Sequence, residues 1–503
     1  MILDFGKLYE GFLLIANGWT PLGAFLGLAA GMLVGAVPGV TATMAVAILS
    51  PFTFFMNPIV GIPFLLGVFK GIITSGSIPA ILINTPGNAS AAATGLDGFM
   101  LTRKGEARRA LEMSLYASVV ADMLGTVVLI FVAEPLASVA LKFGPPEFTL
   151  LFAFAMTMVA TLSGTSIPKG LIAAALGILI ACIGLDPMSG YERFTFGSIE
   201  LTGGISLVPL LIGVFALSEV LIQSEQRLAN YILPETRGRR VTLADMRRVA
   251  WTIVRSTGLG VWIGILPGMG AETACWIAYG AAKQRSKHPE EFGKGSIEGL
   301  AAAEAGNNAS VPTDLIPMIV FGIPGDTVTA ILLGAFMAQG IHPGPLMFVK
   351  HSEILYAMFA SLLLTNVLLL GFGYIMIRYF VRIVLIPRAL LLPSVMVICF
   401  AGSFAINNSF FDIIVAVTGG IVGYLMRKAE LPVPPLVIAA LLTPGFESSL
   451  RRSLVMSDGS LSIFFTRPIA AVMSTALIAG LAYYLWKAGQ KRFAKKPTLV
   501  KTQ

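Results

Sequence analysis

The sequence predicts an all-α, polytopic transmembrane helical bundle built from two inverted-topology repeats that contain broken, re-entrant helices. Three observations carry that expectation: the apolar bulk of the chain, a motif that occurs twice, and the exchange of basic loops between the two halves.

The 503 residues are 56% hydrophobic and only 12% charged, about half the charge of a soluble domain. Mean hydropathy is +0.82, and apolar runs of about 17–25 residues recur, the length that crosses a bilayer as a helix. These runs are apolar on all sides, unlike the alternating strands of a membrane barrel. The net charge of +8 does not point to nucleic acid, because the Lys and Arg fall in short loops between apolar runs. Cys182, Cys275 and Cys399 lack CxxC spacing and read as packing residues, and His288, His342 and His351 form no ligand cluster. Asp4 and Glu10 with a single Lys7 do not make the basic start of a cleaved signal peptide. No phosphate-binding loop is present; Phe292-Gly-Lys-Gly-Ser296 has the wrong spacing. Transport work would therefore draw on an ion gradient, with no cofactor expected beyond the coupling ion. No Ser-His-Asp or metal-ligand pattern appears, so an enzyme is not expected.

The repeated motif is Gly31-Met-Leu-Val-Gly35-Ala-Val-Pro38-Gly39-Val-Thr41-Ala-Thr43 and Gly260-Val-Trp-Ile-Gly264-Ile-Leu-Pro267-Gly268-Met-Gly270-Ala-Glu272-Thr273. Gly27, Gly31 and Gly35 in one copy, and Ser256, Gly260 and Gly264 in the other, form a ridge of small residues on one helix face. Pro-Gly then ends the helix inside an apolar region. The freed N–H and C=O groups are tolerable there only against protein or a polar cavity. One such break per half is the sequence mark of a secondary transporter's binding site.

In chain order, residues 1–18 read as an interfacial helix and 19–224 as repeat 1. Repeat 1 holds the first break within 20–56, a helix at 58–75 carrying Lys70, and a second break, Asn84-Thr85-Pro86-Gly87-Asn88-Ala89-Ser90. Spans follow near 110–133, 147–163, 166–184 and 201–224. Residues 225–250, rich in Arg, read as a cytoplasmic linker, and 251–450 as repeat 2. Repeat 2 holds the duplicate break in 251–282, a charged loop at 283–294, Asn307-Asn308-Ala309-Ser310, and the break Gly322-Ile323-Pro324-Gly325-Asp326-Thr327. Later spans lie near 353–377, 389–405, 409–426 and 432–445, an additional C-terminal span falls within 451–487, and 488–503 is a basic cytoplasmic tail. About a dozen spans result.

The uncharged loop Phe55–Pro58 of the first half corresponds to the cationic 283–294 loop of the second, and the basic 103–109 loop to the weakly charged 340–352. Equivalent loops therefore face opposite sides, as in an inverted repeat. Arg451 and Arg452 alone fall on the wrong side of this count.

The breaks supply the candidate site. Half-helix N-termini favour an anion, and free carbonyls favour Na⁺. Pro38, Gly39, Thr41, Thr43, Ser75, Ser77, Asn84, Thr85, Pro86, Gly87, Asn88 and Ser90 are the candidate solute contacts in the first half. Pro267, Gly268, Gly270, Thr273, Asn307, Asn308, Ser310, Pro324, Gly325 and Thr327 are those in the second. Lys70 could offset a carboxylate, or alternatively snorkel to an interface. Glu272 and Asp326, each just after a break, could coordinate Na⁺ or take a proton, or alternatively serve as helix N-caps. Asp97, Glu304 and Asp314 are weaker candidates, and Asp122 and Glu219 read as packing residues.

The chain resembles the large membrane subunit of the tripartite tricarboxylate transporter family. The resemblance is carried by Gly31–Pro51, Ile81–Gly87 with Leu96-Asp97-Gly98, Glu290–Gly295, Glu304–Asn308, Gly322–Gly325 and Leu461–Pro468. It departs from the family's pattern at Phe69–Gly76, where Lys70 stands. The resemblance implies a multi-pass protein of the bacterial inner membrane that forms the translocation path for a carboxylate solute. It implies a periplasmic solute-binding protein and a small membrane subunit as partners, with elevator-like alternating access. A stand-alone ion-coupled organic-anion transporter, an ion channel, and a membrane-embedded enzyme or flippase are the alternatives.

Overall fold

Pro-Gly ends a helix at Pro38-Gly39, Pro86-Gly87, Pro267-Gly268 and Pro324-Gly325, and the chain turns at each of these, whereas Pro444-Gly445 is carried inside the helix Val433–Met456. The structure is a computed structural model that describes residues 5–16, 18–159, 166–186, 188–225, 238–380, 385 and 388–494. The first half comprises α1 (Phe5–Ala16), α2 (Thr20–Gly35), α3 (Ala42–Leu49), α4 (Pro58–Ser75), α5 (Ser77–Ile83), α6 (Ala92–Arg103), α7 (Ala107–Ala140), α8 (Pro145–Val159), α9 (Ile167–Ala181), α10 (Ile199–Thr202), α11 (Leu207–Leu211) and α12 (Ser218–Ser224). A π-helical turn, Ile212–Leu217, fuses α11 and α12 into one apolar rod. The second half comprises α13 (Leu243–Gly264), α14 (Gly270–Arg285), α15 (Ile297–Thr313), α16 (Leu315–Phe321), α17 (Thr327–Ala338), α18 (Met347–Lys350), α19 (Ser352–Ile375), α20 (Arg388–Asn407), α21 (Phe410–Lys428) and α22 (Val433–Met456). Then come α23 (Ile463–Thr466) and α24 (Pro468–Ala494).

The order of elements recurs: α2–break–α3, adjoining α4–α5, break, α6 and long α7 in one half, and α13–break–α14, adjoining α15–α16, break, α17 and long α19 in the other. Local geometry recurs with it. Gly39 and Gly268 take φ of +93° and +85°, a region open to glycine without strain. Asn84 and Gly322 end α5 and α16 in the left-handed conformation. Thr85 N donates to Pro79 O and Ile323 N to Pro317 O, both at 3.3 Å.

The small-residue ridges do what their spacing suggests. Gly27 and Gly31 press on the backbone of α4 at Phe64 and Val68, and Gly67 and Gly71 of α4 press back on Ala24 and Leu28. Gly260 meets Gly306 and Gly264 meets Ser310 in the second half. Any side chain there would collide with main chain, which cannot move aside.

The charged loops gather in one place. Arg109 pairs with Asp245 at 2.5 Å, Lys104 Nζ donates to Lys294 O at 2.6 Å, and Arg248 pairs with Glu291 at 2.9 Å. The uncharged loop sits elsewhere, with Thr53 O accepting from Gln339 Nε2 at 3.4 Å.

Several sequence expectations need correction. Seven helices among the described residues are long and apolar enough to cross a membrane, or up to eight with α1 and α2 counted as one bent pair. A dozen do not meet that test, because apolar runs such as 42–55 and 327–338 are cut short by the breaks. Helices α8 and α9 hold 15 residues each, about 22 Å at 1.5 Å per residue. Helix α22 continues beyond the expected 445 to Met456. Helix α13 begins at Leu243, ahead of the expected 251, because Thr242 and Asp245 form a reciprocal capping box. The all-α class stands, with one short ribbon between helices: β1 (Gly184–Leu185) pairs antiparallel with β2 (Glu192–Arg193). Residues 226–237 of the expected linker and 495–503 of the tail lie outside the described residues.

Candidate substrate site

Four helices start at the breaks: α3, α6 with its 3₁₀ lead-in Ala89–Ala91, α14 and α17. Their first turns face one cavity with an empty volume of about 610 Å³, open mouth included. Thr41, Thr43, Asn88, Ser90, Gly268, Gly270, Glu272, Asp326 and Thr327 line it, together with Ile73, Met269 and Val328.

The caps of these helices differ. Thr41 Oγ1 accepts from Met44 N at 3.2 Å and meets Thr43 Oγ1 at 3.0 Å. Asn88 Oδ1 accepts from Ala91 N at 3.0 Å and Ser90 Oγ at 2.7 Å, while Asn88 Nδ2 donates to Ile72 O at 2.9 Å. Asp326 Oδ1 accepts from Thr329 N and Oγ1, both at 2.7 Å. Helix α14 starts at Gly270 with no side-chain cap. Each N-terminus carries about half a positive charge, concentrated on its free N–H groups. Four of them around a cavity make a receptor for an anion, with hydroxyls from Thr41, Thr43, Ser90 and Thr327 alongside. Glu272, exposed at the mouth, and the half-buried Asp326 repel a carboxylate unless a cation accompanies it.

The breaks are tied to one another and to the helices behind. Gly268 N donates to Gly325 O at 2.6 Å, and Gly87 N to Gly76 O at 3.0 Å. Gly39 O accepts from Gln223 Nε2, whose amide also reaches Glu219, which pairs with Arg427. Pro38, Pro86, Pro267 and Pro324 shape the turns but do not line the cavity, nor do Thr85 and Thr273. Asn84 is exposed at the end of α5.

Other sequence candidates sit away from the cavity. Lys70 is buried between α4, α7 and α19, paired with Asp122 at 2.8 Å and donating to Leu362 O at 2.9 Å. Its charge is already matched, so the structure does not put it where an anion contact was expected. Ser75 and Ser77 border a separate cleft with Thr74 and Ser114. Asn308 donates to Ser118 at 2.8 Å and accepts from Thr74 at 2.8 Å, inside the helix bundle. Glu304 accepts there from Thr94 at 2.6 Å and Ser118 at 2.8 Å. Asn307 and Ser310 are buried on α15. Asp97 is a clamp: Oδ1 accepts from the N–H groups of Gly293, Gly295 and Ser296 at 2.8–2.9 Å, and Oδ2 from Tyr279 at 3.0 Å. That nest explains why Leu96-Asp97-Gly98 and Glu290–Gly295 belong together, since φ of +80° at Gly293 and +100° at Gly295 turns the amides inward.

Sequence reasoning missed Gln223 and the apolar wall residues Ile73, Met269 and Val328. Met269 and Val328 sit within or beside the breaks but carry no polar group to mark them, while Ile73 and Gln223 reach the site from helices whose packing is set by tertiary structure. The Glu219–Gln223 spacing, one turn apart, was the single available hint.

The family model for the "Tripartite tricarboxylate transporter TctA family" matches residues 22–438. A protein of Agrobacterium vitis, "Uncharacterized 52.8 kDa protein in TAR-I ttuC' 3'region", is 38% identical over 467 residues, covering 91% of each chain. Another from the same organism, "Uncharacterized protein in TAR-II ttuC' 3'region", is 37% identical over 212 residues, 42% of this chain and 88% of the relative. No solved structure matches. The match across most of the chain, together with membrane-length helices, makes this multi-pass membrane protein a member of the tripartite tricarboxylate transporter TctA family, a component of a tripartite transport system.

Proposed function

We propose that the chain forms the translocation path for a carboxylate solute, coupled to Na⁺ or H⁺, in a bacterial inner membrane. A periplasmic binding protein delivers the solute and a small membrane subunit accompanies the chain. The observation that carries this reading is the cavity walled by four broken-helix N-termini. It matches the chemistry of a carboxylate and the architecture of secondary carriers.

The halves are inverted repeats, and the helix pairs α2–α3 and α13–α14 are re-entrant. Supporting this, Arg109–Asp245 and Arg248–Glu291 bring both ends of α13–α14 to the basic loops. Both ends of α2–α3 instead meet the start of α4, through Thr20 Oγ1 to Ile59 O at 3.3 Å and Thr53 against Gly61. The exceptional Arg451 is neutralised by Asp186 and Glu447, at 2.8 and 2.6 Å, and so carries little weight in a charge count. Alternating access follows from movement of the unit holding the four breaks, as in an elevator.

Reconstituted uptake, with the binding protein and an imposed ion gradient, tests the reading. The double variant Pro86→Ala/Gly87→Leu should insert normally and lose uptake. Wild-type uptake in that variant contradicts the proposed cradle. Saturable, binding-protein-dependent uptake separates a carrier from a channel.

A further inference from the structure

We propose that the coupling cation binds at Asp314, at the junction of α15 and α16, rather than at Glu272 and Asp326. This rests on the ion-coupled carrier reading and names the residue that holds the ion.

Asp314 is 0% exposed, and neither carboxylate oxygen has a hydrogen-bond partner among the described residues. Of the neighbouring hydroxyls only Ser310 lies near enough to turn to the carboxylate, and in the structure the hydroxyls donate elsewhere. Ser310 Oγ donates to Asn307 O at 2.9 Å, and Thr313 Oγ1 donates to Ala309 O at 3.0 Å and Ser310 O at 3.2 Å. Asp314 therefore has at most one donor, the Ser310 hydroxyl, and otherwise faces oxygen lone pairs. An ionised carboxylate buried without a partner costs several kcal/mol, and a cation or proton removes that cost.

The surroundings are what a hard cation needs. A methyl group built on Gly264 would lie 3.0 Å from Asp314 Oδ1 and 2.9 Å from Ser310 O, and would press on Thr313 Oγ1. Carboxylate, carbonyl and hydroxyl thus converge on the bare face of Gly264. Gly264 is the last residue of α13, where main-chain carbonyls run out of helical partners. Oxygen donors at a helix break suit Na⁺. Asn307 adds a second sign. It stands two turns before Asp314 on the same helix face, buried, with both amide atoms unpartnered.

The first half lacks this arrangement. Gly76 stands where Asp314 does, and the Asn88 amide fills the place of its side chain, with Cγ at 2.6 Å from a methyl built there. Both amide atoms of Asn88 are hydrogen-bonded. In the second half Asp326 occupies the Asn88 position, turns to Thr329, and acts on Asp314 as a like charge. That repulsion adds to the demand for a cation. Gly325 packs on the Asp314 backbone and accepts from Gly268 N. An ion at Asp314 thus braces both breaks of the second half, and with them the N-termini of α14 and α17.

The test uses purified full-length protein in nanodiscs for ²²Na⁺ binding and proteoliposomes for uptake. Wild type should bind ²²Na⁺ saturably. Asp314→Asn should lose at least tenfold in affinity and lose gradient-driven accumulation while solute counterflow persists. Asp412→Asn, whose carboxylate partners Asn407 on the far side of α20, should bind ²²Na⁺ like wild type. If the ion is a proton, wild type binds no ²²Na⁺ and a pH gradient drives uptake in wild type but not in Asp314→Asn. Should Asp314→Asn not fold, the isosteric Thr313→Val should weaken the dependence on the same cation at least threefold. Unaltered cation dependence in Asp314→Asn or in Thr313→Val overturns the assignment. Wild-type protein that accumulates solute under neither gradient overturns the carrier reading instead.

Discussion

Lys70 and Asp122 form an ion pair inside the bundle with side chains 1% and 2% exposed. Such a pair adds little net stability, but removing one partner strands a charge, at a cost of about 3–5 kcal/mol. Lys70→Met should therefore lower the melting temperature of the detergent-solubilised protein sharply, and Lys70→Met/Asp122→Leu should recover most of the loss. A double variant no better than the single would show that Lys70 does something other than match Asp122. At the edge of the bundle, burial raises the Asp245 carboxyl, but hydrogen bonds from Arg109 and from the backbone and hydroxyl of Thr242 outweigh it and hold it at about 2. The folded value lies below the ordinary carboxylate value, so the stabilisation is complete above about pH 4. It is lost as pH falls toward about 2. Asp245→Asn should destabilise more at pH 7 than at pH 3; an equal effect at both pH values contradicts this role. Asp186 is likewise held below the usual carboxylate range, by the N–H groups of Ser189 and Met188 and by Arg451. The partner of Lys70 was not legible in the sequence, because fifty-odd residues separate two charges whose meeting depends on how α4 packs against α7.

At the scale of the element, the broken helices were the most legible feature, because Pro-Gly disfavours a helix through backbone chemistry, although Pro444-Gly445 is carried inside α22. The ridge Gly27-x₃-Gly31-x₃-Gly35 was legible for a similar reason: close approach needs a bare backbone, whatever the partner. A methyl at Gly31 would sit 2.8 Å from Val68 Cα, so Gly31→Leu should part α2 from α4 and cost stability well beyond the ~1–3 kcal/mol of ordinary overpacking. Wild-type thermal stability in Gly31→Leu would disprove the contact. The start of α13 was read late, since its Arg-rich first turns resemble a linker, although Thr242-x-x-Asp245 marked the true start. At the junctions Gly76 and Asp314 the sequence offered little: Ser75-Gly76-Ser77 reads only as a close-approach segment or a turn, and nothing marks Asp314 as a junction. Both sit between helical segments with no interruption in hydropathy, and only the packing of α5 and α16 reveals them.

At the scale of the molecule, two halves with the same order of elements place four helix N-termini around one cavity. Three of those four starts carry a side-chain cap, on Thr41, Asn88 and Asp326, so the uncapped α14 leaves the freest N–H groups for a solute. The halves differ in charge: Glu272 and Asp326 of the second stand at the positions of Thr43 and Asn88 in the first. This asymmetry sets two carboxylates against an otherwise repeated cradle of helix N-termini, close to the buried Asp314 where the cation is proposed to bind. The account depends on equivalent loops lying on opposite faces of the bilayer. The most direct measurement is labelling of single cysteines, Phe55→Cys and Lys287→Cys, in a cysteine-free background, with a membrane-impermeant maleimide applied to right-side-out and inverted vesicles. Phe55→Cys should react only from the periplasmic face and Lys287→Cys only from the cytoplasmic face; reaction of both from one face would contradict the account.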